Sequence, residues 1–243
     1  MKKLYIIFIM AVMGLYSNCI YAQFAVAHDT IRGHVDFLPR LGDFSHAKSI
    51  PNDSVFYLFP PDKDIEPWRY LGYFSSSEKI ERGYVSMSKL MRVDDFEMID
   101  VERLSSHGTV SFKNENVRVN VSVTSISPSD RSIKRTDSGS YTIHGKAVKG
   151  VATNDSPKLR YQSMTVTIKG RAISVPSKLY EYLLEPDITA MEVYYNHKKD
   201  IVYIVANNGG TEAYYNALWV VSRKGLTEVY VLDPRINARR ILR

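Results

Sequence analysis

The sequence has little cysteine and no strong excess of charge. Of its 243 residues only Cys19 is a cysteine, so no intramolecular disulfide can form. Charged residues make up 24% and hydrophobic residues 44%. That balance is typical of a globular protein and excludes a disordered chain, a collagen and a polytopic membrane protein. The formal charge of +6 is compatible with an anionic partner but does not require one.

The sequence also lacks the motifs that mark common catalytic sites. No His-Glu-x-x-His, Gly-x-Ser-x-Gly or Gly-x-x-x-x-Gly-Lys pattern is present. His34 and Asp36 alternate on one predicted strand face, but two ligands do not make a structural metal site. The acids of residues 94–102 are more typical of a solvated linker than of a glycosidase pair. We therefore predict no catalytic residues, no metal and no cofactor.

Residues 1–22 have the pattern of a secretory signal peptide. Lys2 and Lys3 supply the positive start, an uncharged apolar run follows, and Ala22 provides a small residue at the cleavage point. The apolar run is too short to span a membrane. This predicts a periplasmic or secreted protein, and removal of the two lysines lowers the formal charge to +4. The alternatives are an uncleaved anchor and a lipoprotein attached through Cys19.

The chain after the leader reads mainly as strands, because tyrosine, valine and threonine recur in alternating runs. Residues 193–195, 200–206, 217–222 and 227–232 predict an antiparallel meander whose turns contain Asn or Gly. Residues 177–185 predict one short helix, with Ser177 as its N-cap and Pro186 at its end. The predicted fold is a small SH3-like barrel followed by a β-rich meander domain, over residues 28–93 and 109–243, joined by a linker at 94–108.

The amino-terminal part resembles the end of a bacterial SH3-like domain. Trp68 lies in an aromatic strand, and residues 83–90 match the pattern G-[WY]-V-x-x-S-x-L through Gly83, Tyr84, Val85, Ser88 and Leu90. The Asn-x-Arg-x-Gly-Pro run that usually comes earlier in these domains is absent. The resemblance implies a domain that works by binding, commonly to cell-wall peptide or to a protein, beside a separate domain.

Two groups of residues are candidates for ligand contact. In the amino-terminal module they are Trp68, Tyr70, Tyr73 and Tyr84, since aromatic rings give broad contact area with a polar tip. In the carboxy-terminal module the loop at 207–212 offers Asn208, with Tyr214 and Tyr215 beside it. For both groups the alternative is structural, namely aromatic side chains that fill a core and a plain hairpin connection.

These observations give a main functional hypothesis and two alternatives. The main hypothesis is a non-catalytic periplasmic binding protein that contacts cell-wall peptide or an exported protein. A specific form of it is an immunity or inhibitor protein against a cell-wall-degrading enzyme. The alternatives are a cell-wall hydrolase with its catalytic domain at 109–243 and a structural envelope lipoprotein. We predict no nucleic-acid partner, and a membrane partner only if Cys19 is lipidated.

Overall fold

The structure, a computed structural model, describes residues 24–210, 212–225 and 227–233. The predicted leader and Cys19 lie outside these ranges. The described chain is mainly β, as predicted, with helical structure limited to short 3-10 turns. None of the described helical turns is long and apolar enough to cross a membrane.

The described strands form several antiparallel sheets. In chain order they are β1 (Phe24–Ala27), β2 (His34–Phe37), β3 (Lys48–Pro51), β4 (Val55–Leu58), β5 (Trp68–Phe74), β6 (Ile80–Ser86), β7 (Leu90–Arg92), β8 (Glu97–Met98), β9 (Val101–Ser105), β10 (Thr109–Lys113), β11 (Val117–Ser125), β12 (Ile133–Arg135), β13 (Tyr141–Ile143), β14 (Lys146–Ala147), β15 (Leu159–Ile168), β16 (Arg171–Ser174), β17 (Glu192–Asn196), β18 (Ile201–Asn208), β19 (Tyr215–Ser222) and β20 (Thr227–Leu232). The 3-10 turns are Phe44–His46, Pro61–Lys63, Met87–Lys89, Val93–Asp95, Ser177–Leu179 and Ile188–Ala190.

The amino-terminal unit contains a sheet of order β6-β5-β4-β1-β7 and the hairpin β2-β3. Its inner core contains Phe37, Phe56, Leu71 and Val85, all buried. Gly83 is required where β6 passes the end of β2, because a Cβ at this position would come within 2.4 Å of the Leu38 carbonyl oxygen. A 3-10 turn connects β6 to β7, and β7 pairs with β1. We call the sheet of this unit the amino-terminal sheet.

The rest of the chain forms two larger sheets that pack face to face. The outer sheet has the order β16-β15-β11-β10-β9, and the central sheet has the order β20-β19-β18-β17-β8. Alternate residues of the inner strands of both sheets point into a shared core, in which Trp219 and Phe112 are among the largest fully buried side chains. This alternation is what period-2 patterning predicts for strands with one face in a core. A small sheet, β12-β13-β14, extends from the chain between β11 and β15.

The central sheet is covered on both faces. Its second face carries Tyr203, Val205 and Leu218, which pack against Phe24 and Tyr57 of the amino-terminal sheet. The molecule therefore has three sheet layers, with the central sheet in the middle. Residues 201–206 are apolar at almost every position, as expected for a strand with no solvated face.

The predicted helix at 177–185 is wrong. Only Ser177–Leu179 form a 3-10 turn, and Tyr180 then leaves helical geometry with φ −140° and ψ −11°. Leu183 and Leu184 instead make isolated β-bridges to Lys149 and Arg160. Residues 180–182 form a turn, and burial of the three consecutive residues Tyr182, Leu183 and Leu184 does not match the one-sided pattern of an amphipathic helix.

The strand pairing also differs from the predicted boundaries. β1 lies upstream of residue 28 but belongs to the amino-terminal sheet, where it pairs with β4 and β7. Residues 94–108 contain β8 and β9, which supply one edge strand to the central sheet and one to the outer sheet. The segment predicted as a linker is thus part of both layers of the second unit. The four predicted meander strands are confirmed as β17 to β20.

Candidate functional site

Strands β5 and β6 bring three of the predicted ligand-contact residues to one face. Trp68 and Tyr70 are two residues apart on β5, so their side chains share a face. Tyr84 on β6 is the direct cross-strand partner of Tyr70, and the two ring centroids are 5.2 Å apart. All three side chains are partly exposed.

Two further aromatic residues, which the sequence analysis did not single out, extend this group. The Phe59 ring lies 5.6 Å from the Tyr70 ring, and the Phe44 ring lies 5.9 Å from the Trp68 ring. Phe44 is 62% exposed although it is a large apolar residue. We call Phe44, Phe59, Trp68, Tyr70 and Tyr84 together the aromatic surface.

Two cations lie against the aromatic surface. The Arg82 guanidinium is 5.1 Å from the centroid of the Phe59 ring, and the Lys63 ammonium is 5.4 Å from that of Tyr70. Both distances fall within the range of cation–π attraction. The surface therefore combines flat apolar contact area with positive charge, which suits a ligand that carries both apolar groups and carboxylates.

Hydrogen bonds around Asp64 hold the aromatic surface in place. The Asp64 carboxylate accepts a bond from the Tyr70 amide at 2.9 Å and forms an ion pair with Arg69. Arg69 Nη2 donates to the Phe59 carbonyl oxygen at 2.6 Å. These bonds tie the segment after β4 to the start of β5, so the aromatic rings are positioned before any ligand arrives.

Tyr73, the fourth predicted aromatic residue, points to the other face of β5. Its ring lies 5.8 Å from that of Phe56 and 5.9 Å from that of Phe37, inside the amino-terminal unit. Tyr73 is therefore partly buried and packs against the inner core, away from the face of Trp68 and Tyr70.

Two of the residues predicted to contact a ligand in the carboxy-terminal module, Asn208 and Tyr215, are buried. Asn208 is fully buried, donates from Nδ2 to Tyr161 Oη at 2.9 Å and accepts from the Asp187 amide at 2.9 Å. The buried Tyr215 hydroxyl donates to the Leu184 carbonyl oxygen at 3.0 Å. Burial raises the pKa of Tyr215 well above its usual value. Both residues satisfy polar groups within the core.

Tyr214 belongs to a polar cluster at the boundary between the two units. Its hydroxyl donates to Asn207 Oδ1 at 3.0 Å and accepts from Asn216 Nδ2 at 2.7 Å. Asn216 Oδ1 in turn accepts from the hydroxyl of Tyr57 in the amino-terminal sheet at 3.2 Å. Burial raises the pKa of Tyr57, so its hydroxyl stays neutral. The hydrogen bond from Tyr57 to Asn216 joins the amino-terminal sheet to the central sheet.

The aromatic surface offers flat rings and two cations for contact with a ligand. Within the described ranges, no three His, Cys, Asp or Glu side chains are grouped so that they could hold a metal ion. No family model, curated protein or solved structure matches the chain.

Proposed function

We propose that this protein is a non-catalytic binding protein of the bacterial periplasm. Its amino-terminal unit is an SH3-like module that binds cell-wall peptide through the aromatic surface. The observation that carries the proposal is the row of partly exposed rings with Lys63 and Arg82 against it. The proposed periplasmic location is based on the signal-peptide pattern of residues 1–22.

The strand arrangement supports an SH3-like assignment. The motif around Gly83 implies a last long strand, a short helical turn and a return of Leu90 to the sheet. The chain follows that course through β6, the turn Met87–Lys89 and β7, which starts at Leu90. The motif and the aromatic surface share Tyr84, so the resemblance and the geometry point to the same strand.

The charge at the aromatic surface favours cell-wall peptide as the ligand. Peptide stems of the cell wall carry free carboxylates next to small apolar side chains. Lys63 and Arg82 would pair with the carboxylates, while the rings contact the apolar groups. An exported protein, such as a cell-wall-degrading enzyme inhibited by this chain, would use the same surface through an exposed acidic and apolar segment.

Sedimentation with purified peptidoglycan tests this proposal. We expect the wild-type protein to sediment with the insoluble material without releasing soluble fragments. We expect Tyr70→Ala and Tyr84→Ala to lose sedimentation, because each removes a ring from the aromatic surface. Tyr141→Ala is the matched control, since Tyr141 is a partly buried tyrosine of β13 in the other unit.

Three outcomes would contradict the proposal. Release of soluble fragments would identify a hydrolase. Absence of sedimentation by the wild type would exclude cell-wall binding. Equal sedimentation by Tyr70→Ala, Tyr84→Ala and the wild type would exclude the aromatic surface as the contact. Thermal unfolding of each variant shows whether a loss of binding reflects a loss of folding.

A further inference from the structure

A cleft lies at one end of the packed outer and central sheets, and none of its lining residues belongs to the aromatic surface. It has a volume of about 770 Å³ and opens between the β9–β10 turn, the end of β11, the start of β15 and the segment at 186–189. This volume is in the range of ligand sites, which are commonly a few hundred to about 1,000 Å³. The loops that border it are held by the strands of two rigid layers.

The floor of the cleft is aliphatic. It contains Leu104, Val123, Leu159 and Ile188. Leu104 is 51% exposed, although its cross-strand partner Val110 is almost completely buried on the same face. Leu104 is uncovered because β9 is the edge strand of the outer sheet, and no described strand lies beyond it.

The apolar face continues along β9 beyond the cleft. Val101 is 52% exposed and pairs with the buried Phe112, so its side chain lies on the same inner face as Leu104. Two large apolar side chains thus line an open strand edge next to an apolar floor. Exposed apolar groups in this arrangement are typical of interaction surfaces.

Apart from the Asp187 carboxylate, which only accepts, the polar side chains on the rim of the cleft both donate and accept hydrogen bonds. Ser105, Ser125 and Thr189 contribute hydroxyl groups, and His107 contributes an imidazole. Asp187 is the carboxylate of the rim, and its Oδ1 accepts from the amide and the hydroxyl of Thr189 at 2.9 and 2.6 Å. Hydroxyl groups pair equally well with an N–H and with a C=O. Such a rim matches amide groups better than it matches a net charge.

We propose that this cleft binds an extended, uncharged peptide segment of another protein, with an aliphatic side chain on the floor and main-chain amides along the rim and the β9 edge. Peptide addition at a sheet edge with side chains in adjacent pockets is a common recognition mode. Among the described residues that line the cleft there is no aromatic ring, lysine or arginine. A saccharide would lack a stacking surface, and a polyanion would lack a cation.

A second copy of this chain fits the edge less well. Two β9 strands related by a two-fold axis would pair residues of the same face, so the axis would pass through one residue and its symmetry mate. In the register centred on the strand that residue is Arg103, and in one neighbouring register it is Glu102; both place like charges directly opposite each other, whereas the other neighbouring register pairs Leu104 with its own copy. A segment from a different protein avoids this repulsion.

Chemical shift mapping on the ¹⁵N-labelled protein tests the proposal. The probe is the blocked peptide N-acetyl-Leu-Ser-Leu-Ser-Leu-amide, titrated to millimolar concentration, with N-acetylglucosamine as a second probe. We expect the peptide to shift amide signals of residues 104–108, 123–125 and 187–189, and N-acetylglucosamine to shift none of them. The aromatic surface should be unaffected, so failure of this test would not bear on the function proposed above.

Substitutions on the rim identify the site. Ser125→Trp places a large side chain at the mouth of the cleft and should weaken peptide binding by about tenfold or more, as expected for the loss of one buried aliphatic side chain. Ser129→Trp is the matched control, because Ser129 is an exposed serine that does not line the cleft. Absence of peptide shifts at the cleft, equal binding by both variants, saccharide binding there, or self-association through β9 would each overturn the proposal.

Discussion

One face of the amino-terminal sheet has a covered part and an uncovered part. Phe24 and Tyr57 lie under the central sheet, and their rings are 5.5 Å apart. The row continues from Tyr57 to Phe59 at 5.4 Å and from there to Tyr70 and Tyr84, which no layer covers. Both parts are aromatic, with neighbouring ring centroids between 5.2 and 5.9 Å apart, but the surroundings differ.

The covered and the uncovered rings are expected to contribute differently to the stability of the fold and to ligand binding. A buried aromatic pair contributes about 0.5–1.5 kcal/mol beyond the area that it removes from water. The covered rings gain both terms from the contact with the central sheet. The rings of the aromatic surface are partly buried or, for Phe44, exposed, so they gain less from burial than the covered rings do. The larger contribution to stability therefore lies in the covered part, and ligand contact through the uncovered part remains our proposal.

The largest expected effect is on the covered part. Leu218 is fully buried where the central sheet meets the amino-terminal sheet. Leu218→Ala should lower the free energy of unfolding by about 2–5 kcal/mol, because it leaves a cavity between two layers. Denaturant unfolding measures this value. An effect below about 1 kcal/mol would show that the two layers are not packed as described.

The next effect concerns the polar cluster at the same boundary. Tyr57→Phe removes the hydroxyl that donates to Asn216 Oδ1 and leaves this buried oxygen without that partner. We expect a loss of about 1–3 kcal/mol in the free energy of unfolding. Tyr70→Phe, on the uncovered part, is the control and should change stability by much less. Equal losses in the two variants would remove the distinction between the two parts.

A smaller effect, confined to the amino-terminal unit, depends on pH. The Asp29 carboxylate accepts from the backbone amides of Arg32 and Ile31 and pairs with Lys89 at 2.9 Å. The Arg32 amide is the main cause of its lowered pKa, followed by Lys89 and the Ile31 amide. Because the pKa of Asp29 is lower in the folded state, its carboxylate stabilises the fold at pH values above its unfolded pKa of about 3.9. This stabilisation is lost as the pH falls through the folded pKa.

We therefore expect acid unfolding of the amino-terminal unit to depend on Asp29. Asp29→Asn should reduce thermal stability at neutral pH and flatten its fall below about pH 4, while the central and outer sheets keep their acid response. In a Trp219→Phe background, tryptophan emission follows the amino-terminal unit through Trp68, because the other tryptophan lies in the core of the central and outer sheets. An unchanged pH dependence in Asp29→Asn would show that this carboxylate does not set the acid stability.

The smallest expected effect is on an exposed ion pair between the two units. Lys199 Nζ lies 2.6 Å from Asp53 Oδ1, and both side chains are well solvated. Lys199→Met should lower the free energy of unfolding by no more than about 1 kcal/mol, and added salt should reduce the difference. A larger, salt-independent loss would mean that this pair, and not the apolar contact, holds the two units together.

The sequence predicts much of the β architecture. Strands β17 to β20 follow from alternating apolar residues between Asn- and Gly-containing turns. The run at 201–206 also carries a signal for burial on both faces, since apolar residues occupy nearly every position. That signal could have predicted the three-layer packing. The partner of the second face could not be predicted, because the contact joins residues more than 150 positions apart.

The failed helix and the site show where local patterns are insufficient. Leu179, Tyr182 and Leu183 have helical spacing, but Leu184 is buried as well, and isolated bridges hold Leu183 and Leu184 outside a helix. Trp68, Tyr70 and Tyr84 share a face because they lie on paired strands, which alternation predicts. Phe44 joins them from a distant loop, and only the fold places it there. Asn208 and Tyr215 have polar groups that the sequence alone cannot assign to the core or the surface.

The most direct test of this account combines stability and binding in one variant. Phe44→Ala removes an exposed ring of the aromatic surface without opening a buried cavity. We predict an unfolding free energy within about 0.5 kcal/mol of the wild type, together with a clearly lower sedimented fraction on purified peptidoglycan. Wild-type sedimentation by Phe44→Ala, Tyr70→Ala and Tyr84→Ala alike would contradict the assignment of the uncovered rings to ligand contact.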